Sequence, residues 1–477
     1  MSPSIVGLAL ILLGIVALVG TVIRVRTRIT QKLFLPVSII AGFVALILGP
    51  EVLGRLAGLV GLDALAEGGV FGADVLSVWS ELPGLLISVV FATLFLGEAI
   101  PSPKRAVTLL GPQLSLGVTF GAGQYVIGVL LAVLLLAPLF GISPMVGALI
   151  EIGFEGGHGT AAGMAPVLTE LGFEEGGDLA LAMATAGIVS GILIGVIAVN
   201  WAARTGHSEY LDSKAELPED EQRGLYVGDD RPSGGRLTVR ASSLESLTLH
   251  LGIVGLAIVI GQLLLMALQA IEGALWADVV EIFSYVPLFP LAMLGGVIIQ
   301  LVVDRTGRGD LLDRGTMERI QGASLDLLII AALATLSLDA IANNFGPFAI
   351  LAVAGIAWNV FVLFVLAPRF ISRYWFERGI GDFGQSMGVT ATGLLLMRMA
   401  DPNRKSPAYE SFGYKQLVFE PFFGGGIITA AAIPLIVQFG PIPFLIGMSV
   451  LLVVAILAGL LYFGKNPRFG DFETKAK

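Results

Sequence analysis

The sequence predicts an all-α polytopic membrane protein. It would comprise two inverted-topology repeats of five crossings each, every repeat with a re-entrant Gly-rich hairpin, plus one extra C-terminal crossing. Three observations predict this. Apolar runs dominate the 477 residues, of which only 14% are charged, and the mean hydropathy is +0.87, a composition suited to a bilayer. Basic residues gather on one side of those runs. Short sequences also recur between the two halves of the chain. Cysteine is absent, which excludes disulfides, thiolate nucleophiles and Cys-ligated metals. The net charge of −9 says little, because placement matters more than the sum.

The first run, Ser4–Ile23, follows Met1-Ser-Pro-Ser and precedes Arg24, Arg26 and Arg28. A start without a basic n-region predicts a retained helix with its N-terminus outside, rather than a cleaved signal peptide. Leu33–Gly49, Leu82–Ile100, Gln113–Ala137 and Leu179–Ala203 complete the first repeat, residues 1–203. A polar linker over residues 204–243, rich in charge with Pro and Gly, reads as an inside loop joining two halves. The second repeat, residues 244–440, holds Leu247–Ala270, Ile282–Val303, Gly322–Ile341, Phe348–Ala367 and Gln416–Gln438. Residues 441–477 hold the extra crossing Ile442–Phe463 and an inside tail. Each run has about 17–25 residues, enough for a core of roughly 30 Å at 1.5 Å per residue.

Two apolar stretches are interrupted, 143–171 and 379–400. If each enters and leaves by one face, every Lys and Arg except Arg55 falls inside, and Arg55 shares its outside loop with Glu51, Asp63, Glu67, Asp74 and Glu81. Making either stretch a full crossing would invert every later loop. Geometry agrees for the first, since Ser143 to Gly157 is roughly 20 Å as helix, past the midplane but short of a span. The halves echo one another. Ala92-Thr-Leu-Phe-Leu96 returns as Ala334-Thr-Leu-Ser-Leu338, and Thr160-Ala-Ala-Gly163 as Thr390-Ala-Thr-Gly393. Five crossings, an odd number, precede the linker, so the second half begins from the opposite face. Inverted repeats with broken segments near the midplane are the plan of a secondary transporter.

The chemistry concentrates in those breaks. Glu151-Ile-Gly-Phe-Glu-Gly-Gly-His-Gly-Thr160 sets two carboxylates and an imidazole among glycines, and ionisable groups at membrane depth are costly and usually functional. Gly156, Gly157, His158, Gly159 and Thr160 form one tip, and Gly384, Gln385, Ser386, Thr390 and Thr392 the second. Each break frees N–H groups at a half-helix start, which favour a carboxylate, and carbonyls that with the hydroxyls suit a hard cation. His158 either touches solute or braces its hairpin. Glu151 and Glu155, four apart and so on one helical face, and Asp382 are candidates for cation coupling, against the plainer reading of charge facing an outer vestibule. Gln124 and Asn359 line the pathway or glue helices together. Arg398 lies too far along its helix for the tip and reaches the inside interface. Zinc finds no ligand set, since His207 and His250 lie in or beside the linker.

Gly156-Gly-His-Gly-Thr160 resembles the first signature of the sodium/glutamate symporters. Gly388-Val-Thr-Ala-Thr392, behind Asp382-Phe-Gly-Gln385, resembles the second. The resemblance runs from about Leu82 to Gln438. It implies a Na⁺-coupled carrier of glutamate or a related acidic solute, with Na⁺ as coupling ion, no other cofactor, and two opposed hairpins moving as an elevator-like transport domain in the cell membrane. Two departures stand out. Glu151 and Glu155 replace small polar residues, and they repel an acidic solute unless protonated or paired. The run Ile442–Phe463 lies one crossing beyond the family's usual end and brings the C-terminus inside. Carriers or exporters of another organic anion or amino acid, proton coupling, and a passive channel on the same scaffold stay open. So does a homodimer. A membrane enzyme does not fit, because His158 has no Ser or Cys nucleophile signature, and nothing suggests nucleic-acid binding.

Overall fold

In the computed structural model the chain is helical, with no strand among the described residues. These are all but residues 1, 33–34, 67, 99–102, 209, 211–222, 227–230, 241, 278–282, 403–404 and 467–477. Much of the expected linker, the basic residues Arg404, Arg468, Lys475 and Lys477, and the run ends Leu33, Ile100 and Ile282 lie outside the described residues.

In chain order the helices are α1 (Pro3–Arg26), α2 (Val37–Leu48), α3 (Ala73–Thr93), α4 (Pro103–Leu131), α5 (Leu149–Phe154), α6 (Gly157–Glu170), α7 (Gly176–Thr205) and α8 (Ser246–Leu275). Then come α9 (Leu288–Arg305), α10 (Arg314–Ala334), α11 (Phe345–Phe361), α12 (Trp375–Ala400), α13 (Ala408–Phe419), α14 (Ile427–Phe439) and α15 (Pro441–Leu457). Nine helices among the described residues are long and apolar enough to cross a membrane, so the chain is a multi-pass membrane protein. Large apolar side chains stay exposed along α1, α8 and α15, Ile11, Leu18, Leu263 and Val450 among them, as lipid-facing helices require.

Two of the eleven expected crossings are built differently. Gly322–Ile341 belongs to a helix that begins earlier, at Arg314, and stops at Ala334. Arg314, Glu318, Arg319 and Asp326 make it too polar for a simple span. Gln416–Gln438 is not one helix: α13 ends at Phe419, and α14 starts at Ile427. Gly424 and Gly425 between them take φ of +67° and +106°, values that glycine alone adopts freely.

Two compact units emerge, and each draws on both halves of the sequence. Unit 1 comprises Met1–Ala99 and Pro218–Ala342. Its core sets Trp79 of α3 among Ala9, Leu13, Ala41, Ala45 and Ile330, with the indole N–H donating to Ala9 O at 3.0 Å. Arg314 donates to the carbonyls of Thr93, Leu94 and Leu96, a cation at the negative end of α3. Arg55 binds Glu51 at 2.6 Å and Asp339 at 2.7 Å.

Unit 2 comprises Ile100–Leu217 and Asn343–Lys477. The long helices α4 and α11 both widen into a π turn, at Ala132–Leu136 and Val362–Leu366. Each π turn runs into Ala-Pro-x-Phe, at Ala137–Phe140 and Ala367–Phe370. Proline has no N–H for the preceding turn, and the π turn absorbs that lost bond. The two π turns lie 230 residues apart, the same interval as Thr160 and Thr390. Before the first break, the 3-10 turn Pro144–Ala148 and α5 together make only eleven helical residues, about 19 Å.

Candidate functional site

Unit 2 contains both expected breaks. The first falls at Glu155–Gly156, where Gly157 opens α6 with φ +66°. The second lies four residues beyond the expected Gly384 tip. Inside α12, Gly388 is extended and Val389 is left-handed, at φ 62° and ψ 170°. A β-branched residue there is a strained outlier. The two breaks touch, since a Cβ on Gly157 would collide with Val389 Cγ1. Helix α7 walls both. Cβ atoms added at Gly153 and Gly187 would press on Met183 Cβ at 2.7 Å and Met387 O at 2.5 Å, and one at Gly388 on Ile188 Cα at 2.9 Å.

At the first break Gly156, Gly157, Gly159 and Thr160 are all buried, and Thr160 Oγ1 donates to Gly424 O at 3.3 Å. His158 is buried and shares a 2.9 Å hydrogen bond with Thr185 of α7, the bracing arrangement. At the second break Thr392 donates to Gly388 O at 2.5 Å, spanning the kink. Thr390 donates to Glu420 at 2.8 Å and accepts from Gln416 at 2.7 Å. Gly384 is not at the tip. It packs against Gly393 and Thr392, where a Cβ would sit 2.8 Å from Gly393 Cα.

Gln124 and Asn359 do a specific job. Both amides donate to Ser386 O at 2.8 Å, and Gln124 Nε2 also donates to Asn359 Oδ1 at 3.2 Å. Two helices thus grip the carbonyl just ahead of the second break, where regular helical bonding stops. Arg398 is exposed near the C-terminal end of α12, well beyond the break at Gly388 and Val389.

The carboxylates separate into two kinds. Glu151 is fully buried and well served: it accepts from Tyr125 at 2.5 Å, from Gly424 N at 2.9 Å and from Thr429 at 2.8 Å. It therefore pins the Gly-rich segment between α13 and α14, a third break. Glu155 is 2% exposed, and among the described residues neither of its oxygens has a hydrogen-bond partner. Around it stand Lys415, Ser386, Glu151 and Asp382. Asp382 accepts from Gln113 at 2.8 Å and faces Lys415 at 3.5 Å. Arg378 donates to Gln113 Oε1 at 2.9 Å and to Leu109 O at 3.0 Å.

Sequence reasoning missed Tyr125, Gln113, Thr429 and the third break, and it misassigned two cations. Arg378 and Lys415 count as inside-loop charge in the topology argument, yet both are 0% exposed within unit 2. A signal for the third break existed in Pro421-Phe-Phe-Gly-Gly-Gly426, where Pro and a Gly run punctuate an apolar stretch. Averaged hydropathy hid it. Among the described residues no group of three or more His, Cys, Asp or Glu is arranged to hold a metal, so any cation would rely on amides and hydroxyls too.

Comparison with known proteins adds one finding. The family described as sodium/glutamate symporter matches residues 6–399, which include both break motifs and stop short of Lys415 and the third break. No curated protein matches the chain.

Proposed function

The chain belongs to the sodium/glutamate symporter family, and from that premise we propose that it carries out Na⁺-coupled symport of glutamate or a related acidic solute. It is a transporter and not an enzyme. The observation that carries the reading is the contact between two broken helices beside a buried carboxylate, Glu155, whose oxygens are unpaired among the described residues.

The proposed division of labour follows from the donors on hand. Solute carboxylates meet the freed N–H groups at the starts of the half-helices, Gly157–Thr160 and Thr390–Thr392, where the helix dipole favours an anion. The cation meets oxygens. Both oxygens of Glu155, Ser386 Oγ and Gln124 Oε1 are buried without hydrogen-bond partners among the described residues. An all-oxygen set of this kind suits a hard monovalent ion. Bringing Na⁺ to Glu155 also cancels the charge that would repel an acidic solute. Cation and solute then favour one another, which is the thermodynamic content of symport. Glu151 supports the site by bracing the third break.

The wider scheme rests on further support. The eleven-residue first arm is too short to span, which favours a re-entrant hairpin. The 230-residue interval shared by the π turns and the Thr motifs favours two repeats at residues 1–203 and 244–440. Unit 2 holds both breaks and is the candidate moving body of an elevator-like cycle in the cell membrane. An outside N-terminus and inside C-terminus follow from the remaining basic residues, without Arg378 and Lys415.

Uptake of labelled glutamate into proteoliposomes, followed against Na⁺ at two pH values, tests the cation role. Glu155→Gln keeps the shape and removes the charge. Its Na⁺ activation should shift by an order of magnitude or more, while solute affinity at saturating Na⁺ changes less. Superimposable Na⁺ curves would remove Glu155 from coupling. A wild-type protein driven by pH and indifferent to Na⁺ would make the unpaired Glu155 carboxylate a proton carrier.

A further inference from the structure

Lys415 is the cluster's least expected member. It lies on α13 and is 0% exposed. Burying an ammonium is expensive unless it is paired and hydrogen-bonded, so its surroundings are informative. Its Nζ donates to Gln385 Oε1 and to Gln416 Oε1 at 3.0 Å, and it faces Asp382 Oδ1 at 3.5 Å. Two ring faces complete the shell, Phe419 at 4.0 Å and Phe412 at 5.4 Å from ring centroid to Nζ, a favourable cation–π arrangement. Three oxygens and two π faces form the coordination shell of a monovalent cation, with the cation attached to the chain. Helix α4 makes room for the stem, because a Cβ on Gly117 would collide with Lys415 Cε.

Arg378 differs. It binds a backbone carbonyl and Gln113, which ties α12 to α4, whereas every polar contact described for Lys415 is to a side chain. Among the described residues unit 2 buries five carboxylates, Glu151, Glu155, Glu377, Asp382 and Asp401, and two Lys or Arg cations, Arg378 and Lys415. Of those carboxylates Glu155 is the one with neither oxygen hydrogen-bonded among the described residues.

We propose that Lys415 is a tethered cation occupying, at Asp382, a position that a free coupling ion would otherwise fill, so that only the Glu155 side exchanges an ion. This rests on the cation-coupled reading above. A fixed ammonium is present in loaded and empty states alike, so it contributes no ion to the cycle. The coupling ratio is then one ion lower than for the same site with a neutral residue at 415.

Saturation binding of radiolabelled Na⁺ to the detergent-purified full-length protein tests this without any solute. Lys415→Met should bind one more Na⁺ per chain than wild type, and Lys415→Arg the wild-type number. Lys415→Met combined with Asp382→Asn, which removes both charges, should also return the wild-type number. An unchanged or reduced number in Lys415→Met would overturn the proposal, as would a gain in Lys415→Arg. If Lys415→Met is unstable, it should become monodisperse in Na⁺ and not in choline; failure of Na⁺ to restore it also overturns the proposal. The wild-type number tests a separate point. Zero Na⁺ bound by wild type would remove sodium coupling, while the difference between variant and wild type still reports on Lys415.

Discussion

Glu151 and Glu155 stand one helical turn apart and live in opposite circumstances. The first has three donors and the second none among the described residues. Their four-residue spacing put them on one face, and that much was legible. Which one is engaged was not, because the donors Tyr125, Gly424 and Thr429 come from distant parts of the chain. Nor did sequence separate Lys415 from a solvated loop lysine, since its shell of Gln385, Gln416, Asp382 and two phenylalanines exists only once α12 and α13 meet. Tyr125→Phe removes a single donor from Glu151 and leaves a buried carboxylate short of a partner. It should lower stability by about 1–3 kcal/mol, read as an earlier thermal unfolding midpoint in detergent. If Glu151 serves only to brace the third break, the Na⁺ dependence of uptake should stay near that of wild type.

At the scale of elements the three breaks had unequal visibility. The Gly156-Gly157 break could be read directly, because glycine in the left-handed region is what the local rules favour. The second was placed at Gly384, where glycine serves close packing, while the backbone turns at Val389, a residue those rules disfavour. Val389 stands against Gly157, and its neighbours Met387 and Gly388 pack on α7, contacts that no local signal announces. The glycines therefore divide in a testable way. Gly384→Ala drives a Cβ into the backbone of Gly393 and Thr392, so it should reduce yield and monodispersity. Gly157→Ala meets a methyl of Val389 rather than backbone and adds left-handed strain of roughly 1–2 kcal/mol. It should remain folded by size-exclusion chromatography and lose most uptake, because the Cβ blocks the tip. Normal uptake in Gly157→Ala would reduce the first break to a packing feature.

At the scale of the whole molecule, hydropathy alone announced a polytopic helical protein, and Gly156-Gly-His-Gly-Thr160 pointed to the family. The two compact units were not legible. Each is assembled from segments on both sides of the linker, and a pass along the chain sees only neighbours. The residues of the proposed site share one of these units: Glu155, Asp382, Ser386, Gln124 and Lys415 all belong to unit 2. Unit 2 is proposed to couple a cation to an acidic solute. The most direct test uses wild-type protein in proteoliposomes, measuring labelled glutamate inside with and without an inward Na⁺ gradient. Coupled symport predicts accumulation above the outside concentration only when the gradient is imposed, and exchange accelerated by unlabelled glutamate within. Glutamate that merely equilibrates, at a rate indifferent to the Na⁺ gradient and to internal glutamate, would contradict it.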